Sequence, residues 1–221
     1  MTWLDYWLAS WWWVRAWFTR RPPARWSEGD RDPVVLLPGV YEQWSYLLRI
    51  GERLHDEGHP VHIVPGLRRN VAPIPSSAAI VRARLDELDL RRVVLVAHSK
   101  GGLIGKHVLA FDDPDGRVRS LIALGTPFAG SVMADWMLVP ALRAFRRSDP
   151  TIVALSGQTG PDARITAIAA EFDAHIPAGA TLAGGSNVSV PVIGHIRMLQ
   201  HPAVIDAVVN AVHRGEQPPV E

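Results

Sequence analysis

The stretch VVLVAHSKGG, residues 93–102, places an apolar run directly before a serine, a lysine and two glycines. A continuous apolar run of this length is typical of a strand that is buried on both faces of a sheet. A helical pattern follows, so the chain must turn sharply at Ser99, where Ala97 and Gly101 allow strand and helix to approach closely. The pattern predicts a nucleophile elbow, with Ser99 at the carboxyl end of a strand and the free N–H groups of a helix start beside it. The alternative is a serine that only caps the helix.

The rest of the chain from Pro33 onward alternates between short apolar runs and helical patterns. Continuous apolar strands that alternate with helices favour a mostly parallel sheet covered on both faces. We therefore predict a three-layer α/β fold with about six strands. We also predict that the second of its helices begins with a serine cap. The predicted strands are 33–38, 60–64, 92–97, 118–125, 164–171 and 187–193, and the predicted helices are 43–58, 76–88, 100–111 and 202–213.

Composition excludes several classes of function. The 221 residues carry a net charge of +1, so no basic surface indicates a nucleic-acid partner. There is no cysteine, which excludes disulfides and thiolate metal sites and weakly favours a reducing compartment. No glycine-rich phosphate loop follows a strand and no metal-binding pattern such as H-E-x-x-H occurs, so we predict neither a nucleotide cofactor nor a metal.

The amino terminus has a different composition from the remainder. Of the nine tryptophans in the chain, Trp3, Trp7, Trp11–Trp13, Trp17 and Trp26 precede residue 27. As a helix, residues 3–18 would span about 24 Å, which is shorter than the roughly 30 Å hydrocarbon core of a membrane. Residues 1–21 lack the pattern of a signal peptide and are interpreted as an interfacial helix for peripheral membrane contact. The alternatives are a helix packed on its own domain or on a second subunit, and a helix that spans the membrane.

This interpretation divides the chain into three parts. Residues 22–32, with two prolines and a glycine, are interpreted as a linker, and residues 33–215 as the α/β domain. We expect a protein that is cytoplasmic or peripherally associated with a membrane.

Residues 33–213 resemble the α/β-hydrolase superfamily, and most of all its small bacterial-type lipases and carboxylesterases. The similarity lies in four stretches: VVLLPGV, VAHSKGGL, LGTPFAGS and GHIRML. In this family two backbone N–H groups stabilise the oxyanion, and the resemblance assigns them to Val40 and Lys100. Pro38 stands where the family has histidine, and Ala97 where it more often has glycine.

The family also orders its catalytic residues as serine, then acid, then histidine. The resemblance implies His195, on a loop after the sixth strand, as the general base; the other histidines lie too early or in unsuitable contexts. Asp173, just past the fifth strand, is the implied acid, and Glu171 is the second choice. Asp162 lies early in the chain for this role. No metal takes part in this chemistry.

The segment 127–160, between the fourth and fifth strands, is where the family places lids and acyl-pocket walls. Its apolar stripe comprises Val132, Met133, Trp136, Met137 and Leu142. This stripe fits a lid, and a plain core-facing helix is the alternative. Together with the N-terminal helix, this segment favours a lipid-like ester as the small-molecule substrate.

The resemblance implies a serine hydrolase that cleaves carboxylic esters through an acyl-enzyme. An acyltransferase with the same triad, or a catalytically silent module that binds lipid or a partner, are the alternatives.

Overall fold

The computed structural model describes residues 21–132, 134, 139–177 and 179–215. Within these ranges the chain forms one sheet of six parallel strands in the order β2-β1-β3-β4-β5-β6. All six predicted strands are confirmed to within two residues at either end. The strands are β1 (Val34–Leu37), β2 (Val61–Ile63), β3 (Val93–His98), β4 (Val118–Leu124), β5 (Ile165–Phe172) and β6 (Ser186–Ile193).

Helices cover both faces of this sheet, as predicted. Successive residues of a strand point to opposite faces, so Val34 and Leu36 of β1 lie in one apolar cluster while Val35 and Leu37 lie in the other. The first cluster contains α1 and α6, and the second contains α2, α3 and α5. The helices are α1 (Leu48–Asp56), α2 (Ile74–Glu87), α3 (Lys100–His107, continued as one π-helical turn Val108–Asp112), α4 (Pro140–Arg143), α5 (Pro150–Gly157) and α6 (Pro202–Arg214); short 3₁₀ helices span Ala24–Ser27, Trp44–Leu47, Pro65–Leu67, Asp162–Arg164 and Arg197–Gln200.

One predicted helix start is wrong. The second predicted helix does not open on a serine cap, because α2 begins at Ile74, with Pro73 before it. Ser77 is buried in its first turns, and its hydroxyl lies 3.5 Å from the side-chain oxygen of Asn70. Pro75 lies in the first turn of α2, where a proline fits because the N–H that it lacks has no intrahelical partner.

The amino-terminal segment is described only from residue 21, so almost all of the predicted interfacial helix, residues 1–21, lies outside the described residues. Trp26, in the segment interpreted as a linker, is 1% exposed and packs edge-on against Trp44 and over Gly51 of α1. The packing of the domain thus extends back at least to Trp26. Among the described residues no helix is long and apolar enough to cross a membrane.

Segment 127–160 contains α4 and α5 and sends Phe128 and Phe145 into the core. Leu142 of its predicted apolar stripe is partly buried against the same core cluster. Met133, Trp136 and Met137 lie outside the described residues. The interpretation as a lid therefore stays a prediction.

The sheet order places a topological switch point at β1. From β1 the chain moves to β2 on one side and then to β3 on the other, so the segments after β1 and β3 diverge at the carboxyl edge of the sheet. Ligands of open α/β sheets bind at such points. The loop that holds Val40 and the turn that holds Ser99 follow these two strands.

We predict that Gly101→Ala destabilises the protein by about 1–3 kcal/mol or more, because a Cβ at this position would overlap the backbone oxygen of Leu37 and force α3 away from β1. The free energy of unfolding, measured by chemical denaturation, tests this. Gly157→Ala is the matched control: a Cβ there meets nothing within 4 Å, so stability should be unchanged or slightly higher. Equal effects of the two substitutions would contradict the prediction.

Candidate active site

Ser99 lies at the sharp turn from β3 into α3. Its φ of 51° is in the left-handed region, which is rare for a residue other than glycine and is a strained conformation. The side chain makes no capping hydrogen bond to α3, so the interpretation of Ser99 as an ordinary helix cap is not supported. Its own N–H donates to the carbonyl of Leu124 at 2.8 Å, which fixes the turn against β4. The hydroxyl is thus presented at the carboxyl edge of the sheet by a turn that does not use it.

His195 and Asp173 meet at the ends of the two last strands. Phe172 of β5 and Ile193 of β6 are register partners, and the N–H of Gly194 donates to the carbonyl of Phe172, so the loops that follow leave the sheet side by side. Nδ1 of His195 lies 2.5 Å from Oδ2 of Asp173. The structure therefore brings together the two residues that the resemblance pairs.

Glu171, the second choice for the acid, is exposed. Asp162, the third carboxylate considered, forms a buried ion pair of 2.7 Å with Lys106 instead. Of the three carboxylates, Asp173 is the one whose hydrogen bond to His195 the structure contains.

The imidazole of His195 lies against the end of β4, next to the Ser99 turn. Gly125 has a φ of 53°, and a Cβ there would lie 3.3 Å from both Nδ1 and Cε1 of His195. Thr126 donates from Oγ1 to the carbonyl of Ser99 at 3.0 Å. The stretch LGTP therefore has a local role: its glycine leaves room for the imidazole ring and its threonine holds the turn of Ser99.

The loop after β1 is held from both sides. The N–H of Gly39 donates to the carboxylate of Glu42 at 2.7 Å, and the N–H of Tyr41 donates to the carbonyl of Arg69 at 2.7 Å. Asn70 donates from its side chain to the carbonyl of Pro38, also at 2.7 Å. Val40 lies between these anchors and packs partly buried against the core.

Pro38, which stands where the family has histidine, takes part in this arrangement through its backbone. The contact uses only its carbonyl, so the substitution does not remove it.

The side chain of Lys100 has a role that the sequence did not indicate. It is fully buried, and Nζ donates to the carbonyls of Asn70 at 2.8 Å and of Ala72 at 2.5 Å. Burial lowers the pKa of this amine to about 8. Because Asn70 in turn holds Pro38, Lys100 ties the start of α3 to the loop that carries Val40.

The electrostatics of the pair favour a neutral base beside an ionised acid. Burial would raise the pKa of Asp173, but hydrogen bonds from His175 and His195 outweigh it and hold this pKa well below its usual range. Burial lowers the pKa of His195, and the charge of His98 lowers it further, against the opposing effect of Asp173. A neutral imidazole with a fixed Nδ1 proton is the form that can accept a proton at Nε2.

Sequence reasoning missed two histidines beside His195. His175, one of the histidines set aside for their unsuitable context, donates its backbone N–H to Oδ1 of Asp173 at 2.8 Å, and its ring centroid is 5.0 Å from that of His195. His98, another histidine set aside in the same way, has its ring centroid 4.5 Å from that of His195, and its Nδ1 lies 2.8 Å from a carboxylate oxygen of Glu42. Their proximity in sequence to Asp173 and Ser99 was the available signal.

The described residues include one group that could bind a metal ion: Asp173, His175 and His195 offer ligand atoms within 4.8 Å of one another. Oδ2 of Asp173 and Nδ1 of His195 are already joined by their hydrogen bond. A metal ion that used these two atoms would displace the proton between them.

Comparison with solved structures identifies the fold. The chain superposes on the mature lipase BlEst2 of Bacillus licheniformis with a TM-score of 0.63 at 15% identity, covering 88% of this chain and 93% of that one. An α/β-hydrolase fold protein of Burkholderia ambifaria gives 0.62 at 19% identity over 84% and 91% of the two chains. The enol-lactonase of Burkholderia xenovorans gives 0.60 at 16% identity over 84% and 94%.

The chain has the α/β-hydrolase fold. No protein-family model matches it, and the comparison with curated proteins finds no match. The resemblance seen in four short stretches is thus confirmed at the level of architecture: an α/β-hydrolase sheet with Ser99, Asp173 and His195 at its carboxyl edge.

We predict that the His195 imidazole titrates below pH 6.5, the ordinary value for histidine, since burial and the neighbouring histidines disfavour its charged form. The ring-proton shifts of His195 followed by NMR against pH, and assigned with the His195→Gln variant, give the midpoint. Its neutral form should thus dominate at neutral pH and persist into mildly acidic solution. A midpoint at or above 6.5 would contradict the prediction.

Proposed function

We propose that this protein is a serine hydrolase that cleaves carboxylic esters with apolar acyl groups through a Ser99–His195–Asp173 triad. The observation that carries the proposal is the 2.5 Å hydrogen bond between His195 and Asp173 beside a serine held at a φ of 51° in a strand-to-helix turn. This combination matches the nucleophile, base and orienting acid of acyl-transfer enzymes.

In the proposed mechanism His195 accepts the hydroxyl proton of Ser99 at Nε2 as the oxygen attacks the ester carbonyl. The backbone N–H groups of Val40 and Lys100 stabilise the oxyanion that forms. Asp173 keeps the imidazole in the tautomer with its proton on Nδ1 and stabilises the imidazolium. His195 then protonates the leaving alcohol, and water that it activates hydrolyses the acyl-enzyme.

Apolar side chains at this edge support an apolar substrate. Phe172 and Ile193 are register partners at the carboxyl ends of β5 and β6, and both side chains are exposed. Tyr41, which follows Val40 in the loop after β1, is exposed as well. These side chains offer apolar contacts to an acyl group.

We expect a fluorophosphonate probe to label wild-type protein at Ser99, and Ser99→Ala to abolish labelling and ester hydrolysis. Peptide mapping locates the label, and turnover of p-nitrophenyl esters of increasing chain length gives the acyl preference. An intact fold of Ser99→Ala, shown by its far-UV circular dichroism, is the control. Absence of labelling in the wild type would favour a catalytically silent module and overturn the proposal.

Asp173→Asn should lower kcat by about 10⁴-fold, because the amide favours the wrong tautomer of the imidazole. Glu171→Gln is the matched control: the side chain is two residues away, of the same class and exposed, so activity should stay close to wild type. Initial rates with a soluble short-chain ester measure both. Comparable losses in the two variants would argue against Asp173 as the acid.

For residues 1–21 we propose peripheral contact with the membrane interface. Because Trp26 is part of the core, the informative deletion removes residues 1–21 and keeps Trp26. We expect this deletion to abolish co-sedimentation with anionic lipid vesicles and to leave hydrolysis of a soluble short-chain ester intact. Precipitation of the truncated chain, or loss of its short-ester activity, would instead place this segment in the fold.

A further inference from the structure

A second histidine–carboxylate pair lies directly behind the candidate triad. His98 ends β3, immediately before Ser99, and is fully buried. Its Nδ1 lies 2.8 and 2.9 Å from the two carboxylate oxygens of Glu42, which is 6% exposed. Its Nε2 lies 3.2 Å from the backbone carbonyl of His195.

The partners of this imidazole determine its protonation. A backbone carbonyl can only accept a hydrogen bond, so Nε2 of His98 must donate to His195. Nδ1 faces both carboxylate oxygens of Glu42, and one of these oxygens also accepts the N–H of Gly39 at 2.7 Å, so the carboxylate acts as an acceptor here. Both ring nitrogens of His98 thus face acceptors, which is the hydrogen-bonding pattern of an imidazolium paired with a carboxylate.

The pair is electrically neutral as a unit, which makes its burial tolerable. Tyr46 is the further titratable group beside it: burial and the charge of Glu42 raise the pKa of its phenol to about 12, so it stays neutral. Tyr46 therefore adds no further charge beside the pair.

The same pair joins two elements of the candidate site. Through Gly39, Glu42 holds the turn that presents Val40, and through His98 it holds the backbone of His195. The Cβ position of Gly39 lies 2.8 Å from the Glu42 carboxyl group, so any larger residue at 39 would displace the carboxylate. A movement of either loop would break a hydrogen bond of a buried charge, which is costly.

We propose that Glu42 and His98 are positioning residues: a buried ion pair that holds the oxyanion loop and the His195 loop in register and places a fixed positive charge behind the His195 imidazole. This inference rests on the proposed function, in which His195 is the general base.

The positive charge has a consequence for catalysis. Three ionisable groups face the His195 ring: Asp173 at Nδ1, His175 stacked at 5.0 Å and His98 at 4.5 Å. Asp173 favours the protonated ring, and the charge of His98 opposes it. Burial is the main cause of the lowered pKa of His195, and the charge of His98 adds to it, so His98 helps to keep His195 neutral in the resting enzyme and extends activity to lower pH.

The first experiment is spectroscopic and needs no turnover. Nitrogen-15 NMR of the full chain reports the protonation of both ring nitrogens of His98, assigned with a His98→Gln variant. We expect both nitrogens to be protonated in the wild type at pH 7, and one of them to lose its proton in Glu42→Gln. A neutral His98 ring in the wild type overturns the proposal.

The second experiment separates the two hydrogen bonds of His98. An asparagine amide nitrogen reaches about as far as Nδ1 and a glutamine amide nitrogen about as far as Nε2, so His98→Asn keeps the bond to Glu42 and His98→Gln keeps the bond to His195. Each variant, and Glu42→Gln, should lower kcat for a short soluble ester by about 10²-fold with a small change in KM, since misplaced catalytic groups cost about that much.

The pH profile distinguishes positioning from mere stability. Removing the positive charge should move the acid limb of kcat/KM to higher pH by about one unit in His98→Asn, His98→Gln and Glu42→Gln. His107→Gln is the matched control, because it breaks another histidine–carboxylate pair, His107–Asp112 at 2.6 Å on the helix after Ser99, outside the candidate site. It should change neither kcat nor the acid limb.

Wild-type kcat and an unmoved acid limb in all three variants would overturn the proposal. Failure of the proposed function has a different signature, since the wild type would then show no fluorophosphonate labelling. The NMR measurement would still decide whether the charged pair exists. If one variant fails to fold, the remaining variants and the spectrum of the wild type give the answer.

Discussion

The structure depends on one strained turn. Ser99 has a φ of 51° between a strand that is buried along its whole length and a helix whose first three residues are buried as well. A turn of this kind is held only if its surroundings leave it no alternative. Gly101 lets α3 pass against the backbone of Leu37, and Gly102 lets it pass against the side chain of Thr126. Two bonds to the backbone of Ser99, one to its N–H and one to its carbonyl, complete the fixation.

The loops around this turn are fastened by polar groups, because short irregular segments at the edge of a sheet have too little apolar surface to be held by packing. Lys100 donates to two carbonyls of the loop after β2, and Asn70 of that loop holds Pro38. Glu42 holds Gly39. Such contacts cost desolvation, which explains why the pKa of Lys100 is lowered to about 8. The buried side chains around Ser99 thus support the site by fixing its backbone.

Architecture and site carry different information about function. At 15–19% identity, the similarity to the lipase and to the other solved structures shows the fold alone. The α/β-hydrolase fold hosts many reactions, so the reaction has to be argued from the groups at the carboxyl edge. The neutral His195 and the ionised Asp173 supply that argument.

The sequence by itself determined the strands, the layers and the position of the elbow, because these follow from local patterns: continuous apolar runs, helical spacing and small residues around Ser99. It also placed Asp173 and His195 at the ends of β5 and β6, where the order of residues in a known family could be carried over. The contact between them was decided only by the register of Phe172 with Ile193. Glu42, 56 residues before His98, and Asn70, 30 residues before Lys100, became part of the site through tertiary contacts alone. No local pattern signals such contacts, because whether a polar side chain is solvated or buried against a distant partner is a property of the folded chain.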